Sequence, residues 1–257
     1  MSEWPQALGR SPARLIVLTF ALSVPFWLAG SVLGRLSQNL PVSALMACCP
    51  VLAAMTLVRR EGRGAVARLL RRVADWRAAP HPGWYALALV LPLGVMAASY
   101  AVMVLLGRSL PEPRIAPIEV PPLFAVFLLA AACEEAGWTA YATDPLRARR
   151  SVPVTGLILG ATWAVWHLVP YAQAGHAPSW IAGQCLFTVA LRVVIVWVYE
   201  RGASVLAAVV CHASSNVGWS LFPGHGSHYD PAVAGGVATA VALLLLAARR
   251  GPSRPRP

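Results

Sequence analysis

Long apolar runs separated by short polar breaks recur along the whole of this 257-residue chain. A helix of roughly 17–25 apolar residues crosses the hydrocarbon core of a bilayer, where every backbone N–H and C=O must be bonded within the protein. We therefore expect an all-α fold, a polytopic membrane helical bundle of about eight transmembrane helices with a polar intramembrane cavity. The predicted spans lie near residues 15–34, 41–58, 84–106, 122–142, 154–172, 180–199, 203–222 and 232–248.

The composition agrees with a membrane protein and excludes an ordinary soluble domain. Hydrophobic residues make up 58% of the chain and charged residues only 12%, whereas soluble domains carry about a quarter charged residues. The five cysteines lie in apolar runs without a CxxC spacing, so we interpret them as small core residues rather than disulfide partners. We expect one membrane-embedded domain over residues 1–257, with its motif core at 122–222.

The distribution of arginine predicts the orientation of the bundle. All 21 basic residues are arginine, and the formal net charge is +11. If the N-terminus is cytoplasmic, the segments on that side carry 17 of the 21 arginines, and arginine-rich loops resist translocation. With eight spans, both termini are then cytoplasmic. We expect a multi-pass protein of a bacterial cytoplasmic membrane, since the complete lack of lysine is typical of GC-rich bacterial genomes.

Residues 59–77, between the second and third spans, form a strongly basic amphipathic segment. This pattern predicts a helix that lies on the anionic cytoplasmic surface of the membrane. A basic segment can also bind nucleic acid, but the arginines of this chain cluster beside the membrane spans. We therefore expect the lipid bilayer, and no nucleic acid, as its partner.

Polar side chains inside the predicted spans mark candidate functional residues, because such groups are costly in a bilayer. At about 1.5 Å of rise per helical residue, the glutamates and histidines among them lie at similar depths, so we expect them to meet near the bilayer centre. The candidates, on four successive spans, are Glu134, Glu135, His167, Arg192, His212 and Asn216.

Several chemistries fit this set. One glutamate could hold a proton while the other acts as a base on water, and the imidazoles and the amide could orient that water, bind a metal or donate to an oxyanion. Hydrogen bonding between packed helices, or a proton relay in a transporter, fits the same spacing. Spacing alone therefore leaves the function open.

Three short motifs add to this pattern. Residues 134–141 read EEAGWTAY, residues 163–167 read WAVWH, and residues 212–216 read HASSN. In this order they resemble the EExxxR, aromatic-xxx-His and HxxxN boxes of the CAAX protease and bacteriocin-processing (CPBP, Abi) family, intramembrane endopeptidases related to the prenyl-protein endopeptidase Rce. The resemblance covers about residues 134–216 and implies an eight-helix intramembrane endopeptidase.

The resemblance also implies a role for each site residue. Glu134 would be the base that activates water, and His167 would help to hold that water. His212 and Asn216 would stabilise the oxyanion of the tetrahedral intermediate, while Glu135 would support the site. No cofactor is certain, because the motifs leave metal dependence open; Glu134, His167 and His212 are candidates for a three-ligand zinc site.

One departure from the family motif concerns the charge beside Glu135. The motif has Arg at position 139, one helical turn from Glu135, and this chain has Thr139 there. Because a buried unpaired carboxylate is costly, we predict that Arg192, at a similar depth on the sixth span, is the substitute counter-ion. The alternatives are a protonated Glu135 or a member of the family that has lost proteolysis.

The leading hypothesis from the sequence is an intramembrane endopeptidase that cuts a peptide bond in a small peptide or a membrane-protein substrate, at or within the cytoplasmic half of the bilayer. The second is a catalytically inactive membrane protein of the same fold that serves bacteriocin self-immunity or scaffolding. The third is a proton-coupled transporter that uses the glutamate pair as a relay.

Overall fold

The structure is a computed structural model that describes residues 9–37 and 40–248. Numbered in chain order within these residues, the α-helices are α1 (Pro12–Leu33), α2 (Cys49–Val58), α3 (Ala65–Ala74), α4 (Gly83–Leu105), α5 (Val120–Gly137), α6 (Asp144–Arg147), α7 (Val152–Gln173), α8 (Pro178–Gly202), α9 (Val205–Leu221) and α10 (Pro231–Ala247). The shorter elements are 3₁₀ turns at Val42–Cys48, Arg59–Glu61 and Pro117–Glu119, a π-helix at Trp138–Thr143, and a small hairpin of β1 (Arg35–Ser37) and β2 (Leu40–Pro41).

The all-α, polytopic fold predicted from the apolar runs is confirmed, and each predicted span corresponds to a helical segment. Within residues 9–37 and 40–248, six segments are long and apolar enough to cross a membrane, while α9 and α10 are shorter apolar helices of 17 residues each. The largest difference concerns the fourth span, predicted at 122–142, which is continuous over Pro117–Arg147 because a π-helix joins α5 to α6. The arginines at 249–256 lie outside the described residues.

Helix starts follow directly from the local sequence. The side chains of Ser11, Ser204 and Asp230 each accept a hydrogen bond from a backbone N–H in the first turn of the helix that follows. Such caps satisfy donors that have no partner within the helix. Proline in the first turn of α1, α8 and α10 adds to this signal, since its missing N–H costs nothing there.

Helix α8 is the central helix of the bundle and packs between α7 and α10. The approach of α7 to α8 depends on glycine: a Cβ at Gly160 would lie 2.9 Å from the Val189 Cα, and one at Gly156 would lie 2.7 Å from the Val193 Cα. Small residues of this kind let membrane helices pack backbone to backbone. The close contact brings the middle of α8, with Arg192, against α7.

Helix α9 packs against both α4 and α5, and α5 in turn packs against α2. Gly137, at the end of α5, allows the latter contact, because a Cβ there would lie 2.7 Å from the Cβ of Pro50. Helices α5, α7, α8 and α9 thus supply the polar residues that the sequence singled out, and the neighbouring helices enclose them.

The helix predicted within residues 59–77 is present as α3. Its buried face, with Ala65, Leu69 and Val73, packs against α2, α5, α9 and the π-helix rather than standing free. Arg71 is exposed on the opposite side. The position of this helix on the membrane surface stays a prediction.

Candidate active site

Glu134 lies near the end of α5 with 5% of its surface exposed. Its Oε2 accepts a hydrogen bond of 2.7 Å from Nε1 of Trp163 on α7. A carboxylate that accepts a bond from an indole keeps lone pairs available for a further donor. Glu134 can therefore accept a further hydrogen bond from a water molecule or another donor.

Glu135 is completely buried and has three partners. Nη1 of Arg192 lies 2.7 Å from its Oε2, and Nδ1 of His212 lies 2.9 Å from its Oε1. The hydroxyl of Thr139, one turn further along the chain, also donates to Oε2. The ion pair with Arg192 that the sequence predicted is present, and Glu135 is held by partners on three elements.

Thr139 contributes to the site although it replaces the arginine of the motif. Position 139 lacks the charge of the motif arginine, but the hydroxyl of Thr139 binds the carboxylate that an arginine there would face. A buried carboxylate needs both a counter-charge and hydrogen bonds to its remaining lone pairs. Arg192 supplies the charge, and Thr139 supplies one of the hydrogen bonds.

Trp163 contacts Glu134 directly and Glu135 through Arg192, a relationship that was not predicted from the sequence. Its indole donates to Glu134, and its ring lies under the Arg192 guanidinium, whose Cζ is 4.1 Å from the ring centre. A guanidinium over a tryptophan face is a favourable cation–π contact. Among the described residues, none accepts a hydrogen bond from Nε or Nη2 of Arg192, which is itself fully buried.

His167 lies on the more open side of the site and is half-buried. Its Nδ1 is 2.9 Å from the Trp163 carbonyl oxygen. Because a carbonyl can only accept, Nδ1 carries the proton, and Nε2 of the neutral ring is left as a hydrogen-bond acceptor. Its ring packs edge-on against Trp163, one turn earlier on α7, and it also stacks on Tyr171.

His212 and Asn216 lie one turn apart on α9. His212 is almost fully buried, with its ring 4.8 Å from the ring of Trp163 and its Nδ1 bonded to Glu135. Asn216 is half-buried, and its Oδ1 accepts a hydrogen bond of 3.4 Å from Nε1 of Trp219. That bond uses none of the N–H donors of the amide, which suits Asn216 to donate to a developing negative charge.

The proposed zinc ligands do not form a metal site in this arrangement. Among the described residues, no three His, Cys, Asp or Glu side chains lie close enough together to hold a metal ion. Each candidate ligand instead has a polar partner in the protein. Glu134 binds the indole N–H of Trp163, and His167 binds the backbone carbonyl of Trp163. His212 binds Glu135. We therefore derive no step of the reaction through a metal.

Aromatic rings line the open side of the site. Tyr171, which stacks on His167, also contacts Trp180 on α8, and Trp180 contacts Tyr229 in the loop before α10. Trp180 and Tyr229 line an open cleft of about 490 Å³. The cleft is lined by the loop after α4, the first turn of α8 and the segment that leads into α10, and the candidate site residues are not part of its lining.

Comparison with known proteins gives two matches. Residues 116–218 match the family model described as Rce1-like, type II CAAX prenyl endopeptidase. This stretch contains Glu134, Glu135, His167, His212 and Asn216. A protein named CAAX prenyl protease 2, from Methanococcus maripaludis, is 46% identical over 48 residues, which are 19% of this chain and 17% of that relative. The chain thus aligns with less than a fifth of the relative's length.

Proposed function

We propose, for this member of the CAAX protease family, an endopeptidase reaction in which Glu134 removes a proton from water. The family is one of membrane-embedded proteases, and its model matches the helices that carry the site. The hydrolysis of one peptide bond, the residues that carry it out and the nature of the substrate are our proposals.

The contrast between the two glutamates is the observation that carries the proposal. Glu135 is fully buried and bound by a guanidinium, an imidazole and a hydroxyl, whereas Glu134 has one indole donor and slight exposure. Neighbouring carboxylates in such different surroundings take different roles. Glu135 organises the site, and Glu134 is the general base.

The reaction begins with a water molecule between Glu134 and His167. Glu134 accepts one proton of that water, and Nε2 of His167 accepts a hydrogen bond from the other. The water oxygen attacks the carbonyl carbon of the peptide bond and forms a tetrahedral intermediate. The proton on Glu134 then passes to the amide nitrogen, and the C–N bond breaks to give a carboxylic acid and an amine. The acid proton moves to the amine, so the products are released as a carboxylate and an ammonium ion.

The oxyanion of the intermediate is stabilised by His212 and Asn216. The Asn216 amide donates through its N–H groups. His212 can donate through Nε2 only if the Glu135–His212 pair holds an extra proton, as an imidazolium beside a carboxylate or as a neutral ring beside a carboxylic acid. Arg192 and Thr139 hold Glu135 in place for this pair, and together they replace the arginine of the motif.

The substrate is a small peptide or a segment of a membrane protein that reaches the site from the side lined by His167, Tyr171 and Trp180. These residues are half-buried, whereas Trp138 and Ala140, which follow the glutamate pair along the chain, are fully buried. The location in a bacterial cytoplasmic membrane, with cytoplasmic termini, is part of this proposal. The arginine distribution supports it.

A cleavage assay tests the function. Protein purified in detergent is incubated with a quenched fluorescent peptide library, and wild type is compared with Glu134→Gln. Glu119→Gln is the matched control, because Glu119 is a partly exposed residue at the end of the 3₁₀ turn before α5 and pairs with His225. We expect cleavage by wild type and the control and none by Glu134→Gln. Equal cleavage by Glu134→Gln would exclude Glu134 as the base, and no cleavage by wild type would favour an inactive immunity or scaffolding protein.

A further inference from the structure

The π-helix Trp138–Thr143 begins three residues after Glu135 and is fully buried apart from slight exposure at Tyr141. A π-helix is rare, appears mostly as a single turn within an α-helix and is frequent at functional sites. Within this one, the hydroxyl of Thr143 donates to the carbonyl of Trp138 at 2.9 Å. Its backbone also receives support from outside the helix.

The carbonyl oxygen of Ala140, in the middle of the π-helix, receives that support from two arginines. Nη1 of Arg72, on α3, donates to it at 2.8 Å, and Nη1 of Arg10 donates at 3.2 Å. Arg10 is in turn held by Glu61. Two guanidiniums from distant parts of the sequence thus converge on one backbone oxygen, five residues after Glu135.

Arg72 also extends the contact to two further elements. Its Nη2 donates to Oδ2 of Asp144, at the start of α6, and to the hydroxyl of Tyr199, on α8. That hydroxyl donates to the other oxygen of Asp144 at 2.7 Å, and Asp144 is 95% buried. One side chain of α3 therefore binds the π-helix, α6 and α8, the last of which carries Arg192.

We propose that Arg72 is a positioning residue that fixes the π-helix and thereby sets the place of Glu134 and Glu135 relative to Trp163 and Arg192. The effect of Arg72 on catalysis rests on the proposed function, whereas its contact with the π-helix does not. The basic amphipathic segment, which contains Arg72, thus has a structural role inside the protein. Arg72, on the inner side of α3, acts through the backbone of the helix that bears the general base.

Arg71 provides a matched control for Arg72. It is the neighbouring residue on the same helix, it is exposed, and its Nε donates to the carbonyl of Ala67 within α3. Arg71→Gln and Arg72→Gln each replace an arginine by the same shorter, neutral side chain, so both variants lose the same charge. Tyr199→Phe is a second variant of the network that deletes one hydroxyl and leaves the ring that packs in the core.

Amide hydrogen exchange of the full-length protein in detergent tests the contact without any need for activity. We expect amides of residues 138–143 to exchange about tenfold faster or more in Arg72→Gln, and faster in Tyr199→Phe, because local opening of the π-helix becomes easier. Arg71→Gln is expected to exchange there like wild type. Unchanged exchange in the Arg72 and Tyr199 variants, or an equal change in Arg71→Gln, would overturn the inference.

Steady-state kinetics with the cleaved peptide test the positioning. We expect Arg72→Gln to lower kcat by about 10- to 100-fold, with KM within about twofold, because misplacement of a reacting group by about 1 Å has an effect of this size. A kcat equal to that of wild type, despite faster exchange, would overturn the positioning role. If wild type cleaves no peptide, the proposed function fails, and the exchange experiment still decides whether Arg72 anchors the π-helix.

Discussion

The guanidinium carbon of Arg192 lies 4.1 Å from the ring centre of Trp163, and this contact couples the surroundings of the two glutamates. The same arginine binds Glu135, and the same indole binds Glu134. A change at either residue is therefore expected to act on both acids. The two side chains come from α8 and α7, whose close approach depends on glycine at 156 and 160.

Trp163→Phe is expected to weaken catalysis. It deletes the N–H that binds Glu134 and keeps a ring under Arg192, although phenylalanine makes the weaker cation–π contact. A hydrogen bond to a charged group contributes about 1.5–3 kcal/mol, which corresponds to a fall in kcat/KM of roughly 10- to 100-fold. The cleavage assay measures it, with Trp76→Phe as a control on an exposed tryptophan. An unchanged kcat/KM would mean that the indole does not orient Glu134.

Arg192→Met is expected to destabilise the protein because it leaves Glu135 buried without a counter-charge. Breaking a buried ion pair in this way costs about 3–5 kcal/mol. The thermal unfolding temperature in detergent measures the loss. Arg192→Lys should lose less, because it keeps a positive charge but not the planar group that stacks on Trp163.

The double variant Arg192→Met with Glu135→Gln separates the charge from the packing. If the loss of stability comes from a buried carboxylate without a counter-charge, neutralising Glu135 should restore most of the stability lost in Arg192→Met. The effects of the two substitutions should then not add. Additive losses would show instead that Arg192 stabilises the bundle mainly through its contact with Trp163.

The parts of the structure that depend on local sequence were predictable. The spans follow from the number of apolar residues that a bilayer requires, and the caps follow from single residues such as Ser204 and Asp230. The pairing of Arg192 with Glu135 was also predictable, since a buried charge needs a partner and few residues lie at the same depth. Each of these inferences uses only the type of a residue and its position along the chain.

The parts that depend on tertiary contacts were not predictable from spacing. The π-helix is satisfied by Arg10 and Arg72, which precede Ala140 by 130 and 68 residues. The hydrogen bond from Trp163 to Glu134 was not predictable, because the direction of an indole N–H depends on a rotamer set by neighbouring helices. A zinc site could not be judged either, because ligand geometry is a property of the assembled helices.

The loop before α10 should give the stability a specific pH dependence. Burial raises the pKa of Asp230, but hydrogen bonds from the Arg108 side chain and from the N–H groups of Val233 and Ala232 outweigh it, and the pKa is lowered from its ordinary 3.8. Since the pKa of Asp230 is lower in the folded than in the unfolded protein, the ionised side chain stabilises the folded protein fully at pH values above the ordinary pKa. This stabilisation is lost as the pH falls through the folded-state pKa.

Asp230→Asn isolates the charge, because asparagine also caps helices well. We expect a lower unfolding temperature than wild type at neutral pH, and a difference that shrinks as the pH is lowered below 3.8. Glu112→Gln, an exposed acid in the loop before α5, controls for net charge. A difference that is constant across this range of pH would contradict the coupling to Arg108.

Thr139→Arg tests whether Arg192 has taken the place of the motif arginine. Thr139 is fully buried against Glu135, so a second guanidinium there would be overpacked and would lie next to Arg192. Overpacking alone costs about 1–3 kcal/mol, and the extra buried cation adds to it. We therefore expect Thr139→Arg to unfold at a clearly lower temperature than wild type and to lose cleavage.

The combination of Thr139→Arg with Arg192→Leu moves the counter-charge of Glu135 from α8 back to the helix of the glutamates. If the two positions are alternatives, this variant should be more stable than either single variant, with a coupling energy of about 1–3 kcal/mol. It should also regain part of the cleavage activity, because Glu135 is paired again. Additive losses in stability and activity would mean that Arg192 does more than replace a charge, as its contact with Trp163 allows.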